Sequence, residues 1–328
     1  MHSTIKVNAE REGKRTVLKG SSCNAPYKVL HYGSRHFHEH LELIMMSASP
    51  GIMDGDAIDI EVNVHEGAHL KFFTQSFGKL HPMEKGAIQR TNVQVKKDGI
   101  YKYTPFPVIP FANSRFKLYN EIHLAESATL IWGDIIASGR VHSGESFKFT
   151  RLHSVTKVYC NKKLVLLDNQ LLEPGTQPYD SILFYEHYTH QATLLYVSPF
   201  AAELKVELDE ILAVRYEEIT FGFTQCAPNA VIIRALGHEG GAMHDWLNAI
   251  GQLCWEFTLH KQWLDESEPE EQTPKRQAAE ESPVEKKRPK RVKKEVTAKG
   301  AAKKAKAIPE APAEEGLKEV LAEAVIEK

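Results

Sequence analysis

Ala57-Ile-Asp-Ile-Glu-Val-Asn-Val64 alternates without a fault: Ile58, Ile60, Val62 and Val64 fall on one face, Asp59, Glu61 and Asn63 on the other. A period of two marks a strand with one buried and one solvated side, and His65-Glu66-Gly67 supplies the turn that ends it. Similar stretches follow at close spacing: His69–Thr74, Thr91–Val95, Ile100–Tyr103, Phe116–Leu124, Ala128–Trp132, Ser146–Thr150, Val155–Cys160, Lys163–Leu167 and Gln191–Val197. Turn signals separate them, among them Asp98-Gly99, Glu126-Ser127, Ser138-Gly139 and Ser143-Gly144. Many short strands with few helical windows predict a mainly β fold, built as a sandwich, a barrel or a solenoid.

One stretch interrupts the strands in a different way. Thr104-Pro-Phe-Pro-Val-Ile-Pro-Phe111 carries three prolines, each with a fixed φ and no backbone donor. Neither a helix nor a central strand is expected through Pro105, Pro107 and Pro110. The apolar side chains between them argue against a solvated linker, so the segment reads as a stiff, largely buried connector. Two helices are expected further on. Ser198-Pro199 suits an N-cap and first-turn proline, and Leu204, Leu208, Ile211 and Leu212 then recur at helical spacing. Met243, Trp246, Leu247, Ile250, Leu253, Cys254 and Phe257 form one apolar stripe, which suits a helix packed over a sheet.

The chain divides at Trp263 into a β-rich domain, 1–263, and a low-complexity charged tail, 264–328. The tail balances its charges but segregates them, with an acidic run at Asp265–Glu271 and a Lys/Ala-rich block at Lys286–Lys306. Large apolar residues are scarce until Leu317, so disorder is expected, with a possible short terminal helix over Leu317, Val320, Leu321, Ala324 and Val325. The run Lys286-Lys-Arg-Pro-Lys-Arg-Val-Lys-Lys294 could contact nucleic acid, but no aromatic residue is interleaved to stack on bases.

Across all 328 residues, 42% are hydrophobic and the formal net charge is −2, so no whole-chain attraction to nucleic acid or membrane is expected. No basic segment followed by an apolar run opens the chain, and no stretch approaches membrane-spanning length. Four scattered cysteines form no CxxC pair, which argues for a reducing compartment. A cytoplasmic protein is the expectation.

Candidate chemistry is sparse. The nucleotide-binding loop, the H-E-x-x-H zinc motif and the G-x-S-x-G nucleophile elbow are all absent from the sequence. On a strand, His36, His38 and His40 would share a face, and imidazole suits nickel, copper and zinc; a solvated edge strand is the commoner outcome for such a pattern. Ser49-Pro-Gly-Ile-Met-Asp-Gly-Asp56 is a tight turn. It resembles a calcium loop only superficially, since His65 stands where that loop needs its bidentate Glu. Asp56 is either a turn residue or a carboxylate at an inner surface. Arg140 and Glu145, flanking Ser143-Gly144, suit an exposed ion pair.

Several of these motifs, in order, resemble the urease accessory proteins called UreD or UreH. They are the Ser49–Asp56 turn with Gly55, Phe73-Thr-Gln-Ser-Phe-Gly-Lys79 with Thr74 and Gln75, and Pro105–Phe111 with Phe116. Trp132-Gly-Asp134, Gly139-Arg140, Glu145-Ser-Phe147 and Leu167-Asp168 follow. The similarity covers about residues 10–262 and leaves the tail without a counterpart. The resemblance implies a right-handed β-helical body with two helices and a non-enzymatic maturation factor. Such a protein would bind UreF, through it the GTPase UreG, and urease apoprotein, and would help deliver nickel through an internal tunnel. Nickel would be a transferred ion, with no tightly bound cofactor. A conduit needs exchangeable ligands, which carboxylates provide better than thiolates or closed imidazole cages. Asp56, Asp134 and Glu145, with Asp168 and the three histidines as further candidates, would then face the passage, and Gln75 and Arg140 would orient the acids. Two other classes stay open: a β-solenoid enzyme using Asp56, Asp134 and Glu145, and a nucleic-acid-associated adaptor using the Lys-rich tail.

Overall fold

The structure, a computed structural model, describes residues 1–33, 38–179, 181–182, 184–213 and 218–267. His36, the Lys-rich block, the possible terminal helix and the rest of 268–328 lie outside the described residues. The chain opens with β1 (His2–Glu12), β2 (Arg15–Leu18), β3 (Ser22–Cys23), β4 (Tyr27–His31) and β5 (Leu41–Ser47). There follow β6 (Ala57–Val64), β7 (His69–Thr74), β8 (Gly78–Leu80), β9 (Ala87–Val95) and β10 (Ile100–Tyr103). Next come β11 (Val108–Pro110), β12 (Arg115–Leu124), β13 (Thr129–Ala137), β14 (Arg151–Cys160) and β15 (Lys163–Leu172). The last elements are β16 (His190–Val197), α1 (Ala201–Ile211), β17 (Ile219–Ala227), β18 (Ala230–Gly237) and α2 (Gly240–Ser267).

The strands make two open sheets. The first runs β15-β14-β12-β9-β6-β1-β2, and the second β17-β18-β16-β13-β10-β7-β5-β4. From β5 to β14 the chain passes back and forth between them, and the long strands that meet within each sheet are parallel. Successive turns of chain therefore stack in register. Val7, Val62, Val93, Ile122 and Val158 form one continuous inward row across five strands. Each of these side chains is fully buried, and each such burial is worth about 1.5–3 kcal/mol. The facing row of the second sheet is Leu41, Leu70, Tyr101, Leu130 and Val197. The two rows meet in the main core. Antiparallel strands close both sheets at both ends: β2 and β15 on the first, β4 and the β16-β18-β17 group on the second.

A second core lies on the other face of the second sheet. Ile131 and Ile135 point there, against Leu247, Ile250, Leu253 and Cys254 of α2. The apolar stripe thus packs on a sheet face, as expected of it. Gly133 allows the close approach, because a Cβ there would sit 2.9 Å from Leu247 Cδ2. Glu239 Oε2 accepts the Ala242 amide at 2.6 Å and caps this helix, a role hidden in the sequence by the unusual Gly240-Gly241 start. The helix runs through Trp263 to Ser267, past the expected domain boundary.

Three local expectations need correction. Ser146–Thr150 is not a strand. Phe147 takes φ +52°, which breaks the pleat, and Phe147 and Phe149 turn into a small aromatic core with Tyr179 and Tyr185. Ser198 is not itself the N-cap residue, since the helix begins at Ala201 after Phe200; its hydroxyl accepts the Phe200 amide at 3.3 Å and pairs with Thr129 Oγ1 at 2.8 Å. The proline segment does include a short strand, β11, which bridges β8 and β13 in parallel. It stands off the main path of its sheet, where missing donors cost least.

Candidate functional site: a cavity between the sheets

The inward rows change character toward one end of the stack. One row reads Ile5, Ile60, Thr91, Asn120, Thr156 and Asp168 across the first sheet. In the second sheet, inward positions along β13 run Leu130, Trp132, Asp134, and Asp134 lies in register with Thr193 and then Arg234. Where these polar residues enter the inward faces the sheets enclose a cavity of about 280 Å³ whose lining is otherwise mostly apolar. Asn120 and Ser154 line it from one sheet, Tyr103, Trp132 and Asp134 from the other. The Ser49–Ile52 turn, Thr74, Gln75, Lys79 and the Pro105-Phe106 pair contribute to the rest of the wall. Thr74 Oγ1 accepts the Phe106 amide at 2.9 Å, which fixes the proline segment against β7.

Two buried polar atoms of this lining lack a partner among the described residues: Asn120 Oδ1 and Trp132 Nε1. Asn120 spends its amide nitrogen on Thr156 Oγ1 at 2.9 Å, which leaves the oxygen as an unused acceptor. Leaving buried groups unmatched costs about 1–3 kcal/mol each unless something in the cavity meets them.

Asp134 sits deep in the fold yet keeps part of its surface on the cavity. Burial lifts its carboxyl pKa to about 7, the Asp168 carboxylate pushes the same way, and the Arg234 guanidinium opposes both. The Thr193 hydroxyl approaches closely enough to ease ionisation but is not in hydrogen-bonding geometry. Arg234 holds Asp168 at 2.8 Å and so ties the two sheets together above Asp134. Gln170 Nε2 donates to Asp168 Oδ2 at 2.9 Å, Gln191 to Gln170 at 2.9 Å, and Tyr185 to Gln191 at 2.9 Å. This chain of donors fixes the Asp168 carboxylate in place. An acid with its affinity poised near neutrality can exchange a proton for a cation without holding either tightly.

The raised value has a consequence for stability. The native state holds the Asp134 proton more tightly than the unfolded chain does, so this group favours folding at low pH. That contribution is lost as pH rises from about 4 to about 7. At roughly 1.4 kcal/mol per unit of difference, the loss amounts to a few kcal/mol. Urea midpoints of the wild type and Asp134→Asn are therefore expected to diverge as pH rises from about 4.5 to about 8, with the variant the more stable at the upper end. Parallel curves would show that Asp134 titrates normally.

The other expected site residues lie elsewhere. Asp56 accepts the Met53 amide at 2.8 Å and pairs with the Met1 ammonium at 2.9 Å, so it staples a turn; Gly55 in that turn has φ +76°. Glu145 is bidentate with Arg140 and accepts the Ala112 amide at 3.3 Å. Arg140 also lies 4.4 Å over the Phe111 ring, and this clamp fastens the 139–147 loop to the proline segment. Pro105, Pro107 and Pro110 are buried. His38 and His40 precede β5 and are not in a strand. His40 is engaged with Glu42 at 3.0 Å. Among the described residues no three His, Cys, Asp or Glu side chains are grouped to hold a metal ion. Only Asp134 and Asp168 of the four expected acids come together.

Comparison with known proteins agrees with the motif order. Residues 1–272 match the family model "UreD urease accessory protein". The chain belongs to the UreD family. Urease accessory protein UreD of Flavobacterium johnsoniae is 33% identical over 251 residues, covering 76% of this chain and 90% of that protein. UreD of Acetivibrio thermocellus is 33% identical over 261 residues, 77% of this chain and 97% of that one. Urease accessory protein UreH of Helicobacter pylori is 35% identical over 222 residues, 67% and 82% of the two chains. The UreD match includes every residue of the cavity. Within that UreD region, Asn120 and Arg234 were invisible as site residues because only strand register brings them to Asp134 and Asp168. No helix among the described residues is long and apolar enough to cross a membrane.

Proposed function

We propose that this chain is a non-enzymatic urease maturation factor that helps deliver nickel to the urease active site through the space between its two sheets. The observation that carries this reading is the cavity of about 280 Å³ with Asp134 on its wall. The carboxyl there exchanges a proton near pH 7, and unmatched Asn120 Oδ1 offers a second neutral oxygen. Weak oxygen donors let an ion pass, whereas a closed cage of thiolate or imidazole would keep it. Nickel is cargo in this scheme, with no resident cofactor. Asp134 is the first contact and Asp168 tunes it through Arg234. Asp56 and Glu145 act on the shape of the walls, through the 49–56 turn and the Arg140 clamp. The alternation of parallel strands between sheets supports a coil wound in the right-handed sense favoured for such crossovers.

In this reading the chain works in the cytoplasm in a complex with UreF, the GTPase UreG recruited by UreF, and urease apoprotein. The chain itself supplies no nucleotide hydrolysis. Co-expression with urease and UreF, followed by pull-down and nickel analysis of urease, tests it. Urease recovered without this chain is expected to be nickel-poor, and a chain lacking 268–328 is expected to restore activation. Full nickel loading in the absence of the chain would overturn the proposal.

A further inference from the structure

A second cavity, of about 310 Å³, lies on the opposite face of the second sheet, under α2. Glu42, Lys71 and Lys102 form a cross-strand row there, on β5, β7 and β10. These are outward positions of strands whose inward side chains, Phe72 and Tyr101, fill the main core. Lys102 is only 4% exposed, yet no carboxylate lies within ion-pair distance of it among the described residues. Its ammonium has two long neutral contacts, Gln252 Oε1 at 3.3 Å and the Asn248 carbonyl at 3.5 Å. Lys71 donates to the same Gln252 Oε1 at 3.1 Å.

Two cations thus converge on one amide oxygen. Neither nearby carboxylate pairs with Lys102: Glu42, on the same cavity wall, is shared between His40 at 3.0 Å and Lys71 at 3.5 Å, and Glu256 accepts from Gln252 Nε2 at 2.8 Å. A buried ammonium without a counter-ion is costly, and a methionine would fill the same space without that cost. Asn248 Oδ1 is occupied by the Thr104 hydroxyl at 3.2 Å, which leaves the amide hydrogens of Asn248 as further donors.

We propose that the cavity between Lys71, Lys102 and Asn248 is a binding site for a small planar oxyanion, a free carboxylate or bicarbonate, whose oxygens take the place of Gln252 Oε1 between the two ammonium groups. One oxygen of the anion can stand where Gln252 Oε1 now stands, within reach of both ammonium groups. The inference does not rest on the urease reading; the two cavities share Phe106 but no charged residue.

Protonation gives the site a signature. Burial, followed by the Lys71 charge, lowers the Lys102 pKa to about 7, while Cys254, Glu42 and Glu256 raise it; His244, itself held down by burial, and Tyr32 also line the cavity. Anion binding favours the charged amine, so affinity falls as pH rises through that value.

The test is a titration of the full chain with sodium formate, acetate and bicarbonate in ~0.1 M NaCl, followed by calorimetry and by NMR of labelled lysine side chains. Saturable binding of at least one anion is expected, about sixfold weaker at about pH 8.5 than at about pH 6.5 and about tenfold weaker in Lys102→Met. Saturation should raise the Lys102 pKa by about one unit in the wild type, a readout that needs no variant to fold. No saturable binding of any of the three, binding unchanged in Lys102→Met, or an unmoved Lys102 pKa at saturation would overturn the site.

Discussion

Asp134→Asn is expected to leave the chain folded and, under the proposed function, to leave urease short of nickel. The substitution keeps the shape of the side chain, so the packing around Trp132 and Ile136 is undisturbed. What it removes is the only carboxylate on the cavity wall among the described residues. An amide cannot trade a proton for a cation, and passage then depends on neutral oxygens such as Asn120 Oδ1. We expect urease activation to slow by about tenfold or more, equivalent to ~1.4 kcal/mol of lost stabilisation at one step. In the wild type, activation should quicken as pH rises through about 7, where the carboxyl ionises. The variant should show no such rise. Nickel per urease active site is the decisive measurement, and an unchanged content with an unchanged pH profile would remove Asp134 from the pathway.

Trp255→Ala should unfold the molecule more readily than any change at the cavity. Trp255 is 1% exposed and belongs to the core between α2 and the second sheet. Its ring is met edge-on by His40 at 5.3 Å and His69 at 6.2 Å, and the Lys71 ammonium lies 4.9 Å above it. Truncation of a buried Trp costs about 3–5 kcal/mol, part of it for the void left behind. For a domain of this size that is a fall in melting temperature of roughly 10 °C. Thermal denaturation followed by circular dichroism measures it. A fall below ~2 °C would mean that α2 is not fastened to the sheet through this residue.

The strands from Ala57 to Cys160 were readable because each buries one face, so hydrophobic alternation survives in the sequence. Ser146–Thr150 shows the limit of that signal. Phe147 and Phe149 alternate with polar neighbours as a strand would, but their burial is against Tyr179 and Tyr185 in a loop, and no ladder pairs them. The proline segment was legible as a buried connector from its composition, while the β8–β11–β13 bridge was not, since three residues carry no periodicity. The site was half legible. Asp134 stands two residues from Trp132 and must share its face, which local sequence shows. That Asp168 faces it, that Arg234 joins them, and that Asp56 and Glu145 do not reach the cavity depend on register between strands distant in sequence. Lys71 and Lys102 illustrate the same point on the other face, where two unremarkable strand lysines become neighbours only through parallel pairing.

The antiparallel strands at both ends of the stack have a consequence for how such a molecule can change. Parallel rungs meet only the rungs above and below, so a rung is a repeatable unit, and the end pieces are where the repetition stops. An insertion or loss of one rung in each sheet would lengthen or shorten the interior by one strand spacing, about 4.8 Å, and leave the two terminal faces intact. Interior length is therefore quantised, and it can vary between relatives independently of whatever surfaces the ends present.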